Sequence, residues 1–181
     1  MKRLQRAALL ITLIKKLRER GSWCGETHIQ KAAYFLETVC EVPLGHEFIL
    51  YKHGPYSFDL CDELTALRVD GLLSLVVRHP AYRPGYAVTK SGQKLCHFFA
   101  RTLAQNQSSI NFIVARIGDM GVVALEKVAT ALYVTRERPN ADSEARAIRI
   151  HELKPHIAVG DALDALTQVD ALIKDSAALV S

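Results

Sequence analysis

The sequence predicts a mainly α protein, of α+β type with a minor β part, and three observations support this fold class. Apolar residues recur every three or four positions over most of the chain, as on the buried face of a helix. Between residues 71 and 91 a helix stop, two β-prone runs and a turn follow one another. Beyond residue 105 the helical pattern returns with short interruptions. Together these features predict a winged-helix-like core with a β-hairpin wing and a C-terminal helical extension.

Two helices open the chain. The first is predicted from Lys2 to Arg20 and ends at Gly21-Ser22, because glycine commonly follows the last residue of a helix. The second is predicted from about Glu26 to Cys40, and Pro43 and Gly45 then enforce a loop.

One short strand and a third helix are predicted next. Residues Phe48 to Tyr51 are β-prone and bounded by turn residues, which indicates one extra strand. Pro55 is expected at the first position of the third helix, where its missing N–H costs nothing. The buried face of that helix is expected to contain Leu60, Leu64, Leu67 and Leu72.

The wing is the clearest local signal. Leu73 to Arg78 is apolar and β-branched, and two prolines and a glycine separate it from β-prone Tyr86–Val88. Thr89 or Ser91 then caps a helix that is predicted to continue through Leu103. This order of helix, hairpin and helix is typical of a winged helix, so residues 1–105 are predicted to form a winged-helix-like domain.

Residues 106–181 are predicted to form a helical C-terminal section that packs on the core or mediates dimerisation. Its helices are expected at Ser109–Ile117, Gly121–Tyr133, Asp142–Leu153 and Asp161–Leu179. The last helix is suited to either role, because one stripe carries Leu163, Leu166, Val169 and Ile173.

Charge is distributed in blocks along the 181 residues. The net charge of +4 is the sum of +6 over residues 1–20, −5 over 21–70, +6 over 71–118 and −3 over 119–181. Such blocks are most often solvated faces. They also restrict a nucleic acid to the two basic blocks, and they offer an acidic surface to a basic protein.

Composition and cysteine spacing suggest a cytoplasmic protein. Hydrophobic residues make up 49% and charged residues 23% of the chain, as in ordinary globular domains. The apolar run Ala7–Ile14 is too short to span a bilayer, so no membrane partner is expected. The four cysteines contain no CxxC spacing and are expected to be reduced thiols.

Short motifs over most of the chain resemble those of two families of small bacterial proteins. The residues are His28-Ile29-Gln30-Lys31, Lys52-His53-Gly54-Pro55-Tyr56-Ser57 and His151-Glu152-Leu153-Lys154-Pro155-His156. The first two resemble the pattern of the YwgA-like and Panacea (SocA-like antitoxin) families, and the third resembles the YwgA-like pattern. This resemblance implies a non-enzymatic binding or regulatory module of antitoxin or adaptor type, acting on a protein partner such as a toxin.

The candidate partner-binding site lies at the tight turn and the start of the third helix. A helix N-terminus has free N–H groups and a positive dipole end, which favour an anionic group of a partner. The alternative is a structural role, in which Gly54-Pro55 forms a rigid turn and Tyr56 packs on the core. The acidic side chains of the helix favour a basic protein surface instead. The candidate residues are His53, Gly54, Pro55, Tyr56, Asp59, Asp62 and Glu63.

A winged-helix DNA-binding transcriptional regulator, dimeric through its tail, is the alternative. The hairpin and the helix after it are free of acidic residues, and such a basic surface suits phosphate contacts. The candidate DNA contacts are Arg78, Arg83, Lys90 and Lys94. The third helix, which normally reads DNA in this fold, carries carboxylates that argue against major-groove reading.

No catalytic residue, cofactor or metal site is expected. Arg146 and His151 have the R-x4-H spacing of HEPN-like ribonucleases, which is retained as a remote alternative, although six-residue patterns arise easily by chance. The sequence His151-Glu152-x-x-x-His156 lacks the four-residue histidine spacing of a zinc helix, and Pro155 interrupts it.

Overall fold

A computed structural model describes residues 1–77 and 83–178 and confirms the predicted class, mainly α with a small β part. Within these residues the helices are α1 Arg3–Glu19, α2 Glu26–Val39, α3 Phe58–Val69, α4 Lys90–Phe98, α5 Ala100–Gln105, α6 Gln107–Ile117, α7 Val122–Glu137, α8 Ser143–Leu153 and α9 Val159–Ala177. The strands are β1 Ile49–Tyr51, β2 Gly54–Tyr56, β3 Leu73–Val76 and β4 Gly85–Val88.

The first hairpin corrects the expectation of a single extra strand. β1 pairs antiparallel with β2, with Ile49 opposite Tyr56 and Leu50 opposite Pro55. Pro55 therefore lies in a strand and not at the first position of a helix. α3 begins three residues later, and the Ser57 side chain caps it by accepting a hydrogen bond from the Leu60 N–H.

Helix α1 is the centre of the core. Residues 7 to 14 are all buried, because α2, α4, α5, α6 and β4 pack around the helix. Burying one leucine side chain stabilises the fold by roughly 1.5–3 kcal/mol. A helix enclosed on several sides therefore supplies a large share of the hydrophobic stabilisation.

The second hairpin follows α3 as predicted. β3 and β4 pair antiparallel, with Leu73 opposite Val88. The Tyr86 N–H donates to the Cys24 carbonyl at 2.9 Å, which ties β4 to the segment between α1 and α2. The predicted strand end at Arg78 lies outside the described residues.

The helix after the hairpin is shorter than predicted. Thr89 caps it, and its hydroxyl accepts a hydrogen bond from the Gly92 N–H at 3.1 Å. The helix does not run unbroken through Leu103, because it ends at Phe98 and α5 begins at Ala100. The interruption redirects the chain toward α6, which packs on α1 and α2.

The C-terminal helices pack on the rest of the chain. α7 lies against α2 and β2, and α7, α8 and α9 pack on one another. Leu166 and Val169 of the α9 stripe are buried in this packing, whereas Ile173 remains 39% exposed. The stripe is thus used largely within the chain, and one hydrophobic core contains residues from both sections.

Candidate functional site

Two polar side chains of α2 hold the β1–β2 hairpin through hydrogen bonds to its main chain. Gln30 Nε2 donates to the Ser57 carbonyl at 2.8 Å, and the Ser57 N–H donates back to Gln30 Oε1 at 2.9 Å. Lys31, only 1% exposed, donates from Nζ to the Pro55 carbonyl at 2.8 Å. Because buried backbone groups need partners, these bonds fix the position of β2 relative to α2.

A second lysine holds the other strand. Lys154, at the end of α8, donates from Nζ to the carbonyls of Tyr51 and Lys52 at 2.5 and 2.6 Å. Glu126 of α7 lies 3.8 Å from this ammonium group and 3.2 Å from His156 Nε2. Three helices thus contribute side chains to one network beneath the hairpin.

The positive charges of Lys31 and Lys154 are only partly compensated by the single carboxylate of Glu126. Burial lowers the pKa of Lys31 to about 8, and the positive charge of Lys154 acts in the same direction, whereas Glu126 opposes the shift. His53 is exposed on the other side of Glu126, with Nδ1 at 3.8 Å from the carboxylate. Glu126 is therefore the common anion of two lysines and two histidines.

Gly54 permits the close approach of the hairpin to this network. Its φ of +87° lies in the left-handed region, which side chains disfavour. A Cβ atom there would lie 3.3 Å from both Lys31 Cε and Thr130 Oγ1. Gly54 and Pro55 are buried, so these two predicted partner-binding residues position the hairpin and do not face a partner.

The outer surface of the hairpin carries an aromatic face, defined as Ile49, Tyr51, Tyr56 and Phe58. The ring centroids of its three aromatic residues lie 5.1–5.7 Å apart, within the usual range for aromatic pairs. Tyr51 is 52% and Phe58 55% exposed, and Ile49 is 49% exposed. Large exposed apolar side chains that lie together are a feature of binding surfaces.

One residue of the aromatic face is fixed by a hydrogen bond. The Tyr56 hydroxyl donates to Glu26 Oε1 at 2.7 Å, which links β2 to the first turn of α2. The ring therefore has a defined orientation before any partner arrives. A preorganised surface loses less conformational entropy on binding.

Two exposed carboxylates follow Phe58 of the aromatic face on α3. Asp59 and Asp62 are exposed on α3, and neither has an ion pair among the described residues. Phe58 and Asp62 are four residues apart, so they lie one turn apart on the same side of the helix. An apolar surface with adjacent uncompensated carboxylates results.

Glu63 does not belong to this surface. It is 8% exposed and accepts hydrogen bonds from Arg6 Nε and His46 Nε2, each at 3.0 Å. Burial alone would raise the pKa of Glu63, but these two donors lower it below its usual value. The assignment of Glu63 to partner binding is corrected: it is an internal ion pair between α3, α1 and the loop before β1.

The basic surface of the alternative is described in part. Arg83, Lys90 and Lys94 are exposed, and no ion pair joins them to a carboxylate within residues 1–77 and 83–178. Lys90 and Lys94 are four residues apart and share one side of α4. The main chain of Arg83 is anchored, since its carbonyl accepts from Trp23 Nε1 at 2.9 Å. Arg78 lies outside the described residues.

Arg146 and His151 have separate structural roles. Arg146 is 9% exposed and makes a two-pronged bond to Asp170 on α9, at 2.9 and 3.0 Å. His151 is exposed, and its Nδ1–H donates to the Ile157 carbonyl at 2.8 Å. Five residues on a helix correspond to about 140° of rotation, so the two side chains point in different directions.

In the described part of the chain no three His, Cys, Asp or Glu side chains cluster as metal ligands would. None of the helices between residues 1 and 178 that the structure describes is both long and apolar enough to cross a membrane.

Sequence reasoning missed the network beneath the hairpin. The sequence motifs contain Gln30, Lys31 and Lys154 but do not indicate their partners, and no motif identifies Glu126. The available signal was the position of Gln30 and Lys31 between apolar residues of α2, since a charged residue on a buried helix face requires a specific partner.

No family model matches the chain, and no curated protein matches it.

Proposed function

We propose that this protein is a non-enzymatic binding module of antitoxin or adaptor type, which acts by binding another protein. The observation that supports it is the aromatic face, three exposed or half-exposed rings on a hairpin that buried side chains hold from below. Aromatic residues supply much of the energy at protein interfaces, particularly where they are rigid before binding.

The partner surface in this proposal is basic. Lys and Arg side chains have apolar stems that pack on aromatic rings and charged ends that would reach Asp59 and Asp62. Charge complementarity of this kind raises the association rate and selects the partner. The resemblance to the YwgA-like and Panacea families is a second, independent support, and it suggests a toxin as the partner.

The test uses the protein encoded by the reading frame next to this gene as the candidate partner. The two proteins are co-expressed to detect a complex, and the affinity is measured by isothermal titration calorimetry. Tyr51→Ala and Phe58→Ala are each expected to weaken the complex at least tenfold, because truncation of a central aromatic residue costs about 2 kcal/mol. Ile148→Ala is the matched control, since Ile148 is 52% exposed on α8, away from the hairpin. Equal affinities for all three variants would contradict the proposal, as would a partner whose basic residues can be removed without effect.

A DNA-binding regulator with a winged-helix-like core is the second candidate. It is supported by the exposed basic residues Arg83, Lys90 and Lys94, which have no carboxylate partner in the described part of the chain. It predicts binding of a random DNA duplex that weakens as salt rises, with a slope of about 0.9 per phosphate contact.

Fluorescence anisotropy at about 50 and 200 mM salt, the range over which phosphate contacts lose affinity, tests this candidate. Arg83→Ala, Lys90→Ala and Lys94→Ala should each reduce the salt slope by about one contact. Lys174→Ala, on the exposed side of α9, is the control and should leave the slope unchanged. Absence of binding at the lower salt concentration would rule against DNA as the ligand.

A further inference from the structure

A pocket of about 410 Å³ lies between α2, α7 and the loop before β1. The pocket is largely open to solvent, and its volume falls within the range of small-molecule sites. Tyr34, Phe48 and Tyr133 supply aromatic walls. The Tyr34 and Phe48 centroids are 5.0 Å apart and their planes meet at 58°, so these two rings form a corner. Such a corner offers an apolar surface to a flat ligand.

Several charged groups at the pocket are compensated within the protein. His46, whose side chain is 2% exposed, lies between two carboxylates, with Nε2 at 3.0 Å from Glu63 and Nδ1 at 3.6 Å from Glu37. Arg6 Nε also pairs with the Glu63 carboxylate, at 2.7 Å, and Glu37 accepts the backbone N–H groups of residues 45 and 46. Burial lowers the pKa of His46, but the two carboxylates raise it above its usual value. Arg6, Glu63, His46 and Glu37 therefore form a chain in which basic and acidic groups alternate.

Arg136 is different from the other charged groups of the pocket. Glu137 accepts a hydrogen bond from Arg149 at 3.3 Å and so has a cationic partner. Arg136 is exposed at the pocket and has neither an ion pair nor a side-chain hydrogen bond within the described residues. An uncompensated guanidinium group next to aromatic walls favours an anion, because a planar fork of N–H donors matches carboxylate and phosphate oxygens.

From this arrangement we infer that the pocket binds a small aromatic anion. Arg136 holds its carboxylate or phosphate, and its ring lies against Tyr34, Phe48 and Tyr133. The rings would also attract a cationic ligand. Arg136 would repel it, however, and the pocket carboxylates are already paired with cationic groups of the protein.

Phe48 precedes the aromatic face of the hairpin, and side chains of successive extended residues point to opposite sides. The inference concerns a different surface from the proposed protein-binding site and does not depend on it.

The test uses benzoate as the probe and follows its titration by ¹H–¹⁵N NMR of the full chain. Saturable shifts are expected at residues 34–38, 46–48 and 133–137. Benzylamine has a similar ring with the opposite charge and should bind at least tenfold more weakly. Phenyl phosphate distinguishes a phosphate from a carboxylate preference.

Two arginine variants make the test specific. Arg136→Gln should lower benzoate affinity about tenfold, since a hydrogen bond to a charged group contributes enough to account for one factor of ten. Arg138→Gln, an exposed arginine two residues further along, should leave the affinity unchanged. The inference is overturned if benzylamine binds as tightly as benzoate, if Arg136→Gln has no effect, or if the shifts fall elsewhere or do not saturate by about 20 mM.

Discussion

Single residues beneath the β1–β2 hairpin show why a charged side chain can be placed in a core. Lys31 loses its hydration when α2 packs against α7 and β2, and it regains a hydrogen bond to the Pro55 carbonyl together with the nearby charge of Glu126. The cost of burial is visible in its lowered pKa. Lys31 therefore adds little net stability relative to an apolar core, but its removal would leave the Pro55 carbonyl and Glu126 without this buried partner.

Replacement of Lys31 by Met is expected to destabilise the fold by about 3 kcal/mol, because the Pro55 carbonyl loses its donor and Glu126 loses a cation. Urea denaturation at pH 7 measures this loss. Gln168→Met, a change at an exposed position of α9, serves as the control. An unchanged midpoint for Lys31→Met would show that the ammonium group is not required for packing.

The lowered pKa of Lys31 also predicts a pH dependence. Its folded value is about 8 and its ordinary value 10.5, so between these values the unfolded chain binds more protons than the folded one. Stability in this window therefore rises with pH on account of Lys31. Cysteines and tyrosines titrate there too, so the quantity to measure is the difference between wild type and Lys31→Met. That difference should grow in favour of the wild type from pH 8 to pH 10.

At the scale of the element, α3 separates two kinds of acidic residue. Its apolar side buries Leu60, Leu64 and Leu67, whereas Asp59 and Asp62 face solvent. Leu72, expected on the same buried face, lies beyond the end of the helix and is half-buried. Glu63 immediately follows exposed Asp62, yet it is paired internally with Arg6 and His46.

Charge reversal should distinguish these residues. Asp59→Lys and Asp62→Lys are expected to weaken partner binding and leave the melting temperature within about 2 °C of wild type, because surface substitutions seldom change stability by more than about 0.5 kcal/mol. Glu63→Lys should destabilise by about 3 kcal/mol or more, since it places a lysine beside Arg6. Thermal melts and calorimetric titration on the same samples provide both readings. A stable Glu63→Lys variant would contradict the assignment of Glu63 to the core.

At the scale of the whole molecule, long-range side-chain bonds join the C-terminal helices to each other and to the rest of the chain. Arg146 joins α8 to Asp170 on α9, and its Nη1 also donates to Thr135 on α7 at 3.0 Å. Lys154 then connects the end of α8 to β1. The hairpin that carries the aromatic face is thus held in part by Lys154, which is 103 positions from Tyr51.

Arg146→Met is expected to lower the free energy of unfolding by about 2 kcal/mol, because it removes a two-pronged bond to a carboxylate. His151→Ala should cost well under half as much, since its ring is exposed and makes one bond to a main-chain carbonyl. Guanidinium denaturation compares the two. A ribonuclease role predicts a different pattern: an RNA-cleaving activity that both substitutions remove while the fold remains stable.

The helical content could be predicted from sequence because it depends on local patterns. The apolar spacing of α1 and α2 and the Thr89 cap all produced elements close to their expected positions. The errors occurred where a local rule competed with a tertiary contact. Pro55 suits a helix start, but Lys31 and Gln30 hold the backbone around it in a strand. Within the predicted partner-binding set, burial separates exposed Asp62 from internally paired Glu63, a distinction that no local pattern indicates.

The sequence alone determined the mainly α class, the second hairpin and the blocks of charge, because these follow from propensity, periodicity and composition. Only the tertiary structure decided which charges are available. Glu63 and Lys31 are neutralised or hydrogen-bonded by residues distant in sequence, whereas Asp59, Asp62 and Arg136 have no side-chain partner in the described part of the chain. Whether a charged group contacts solvent or an opposite charge depends on how the helices pack. No local sequence pattern encodes the distance between charged groups that are far apart in the chain.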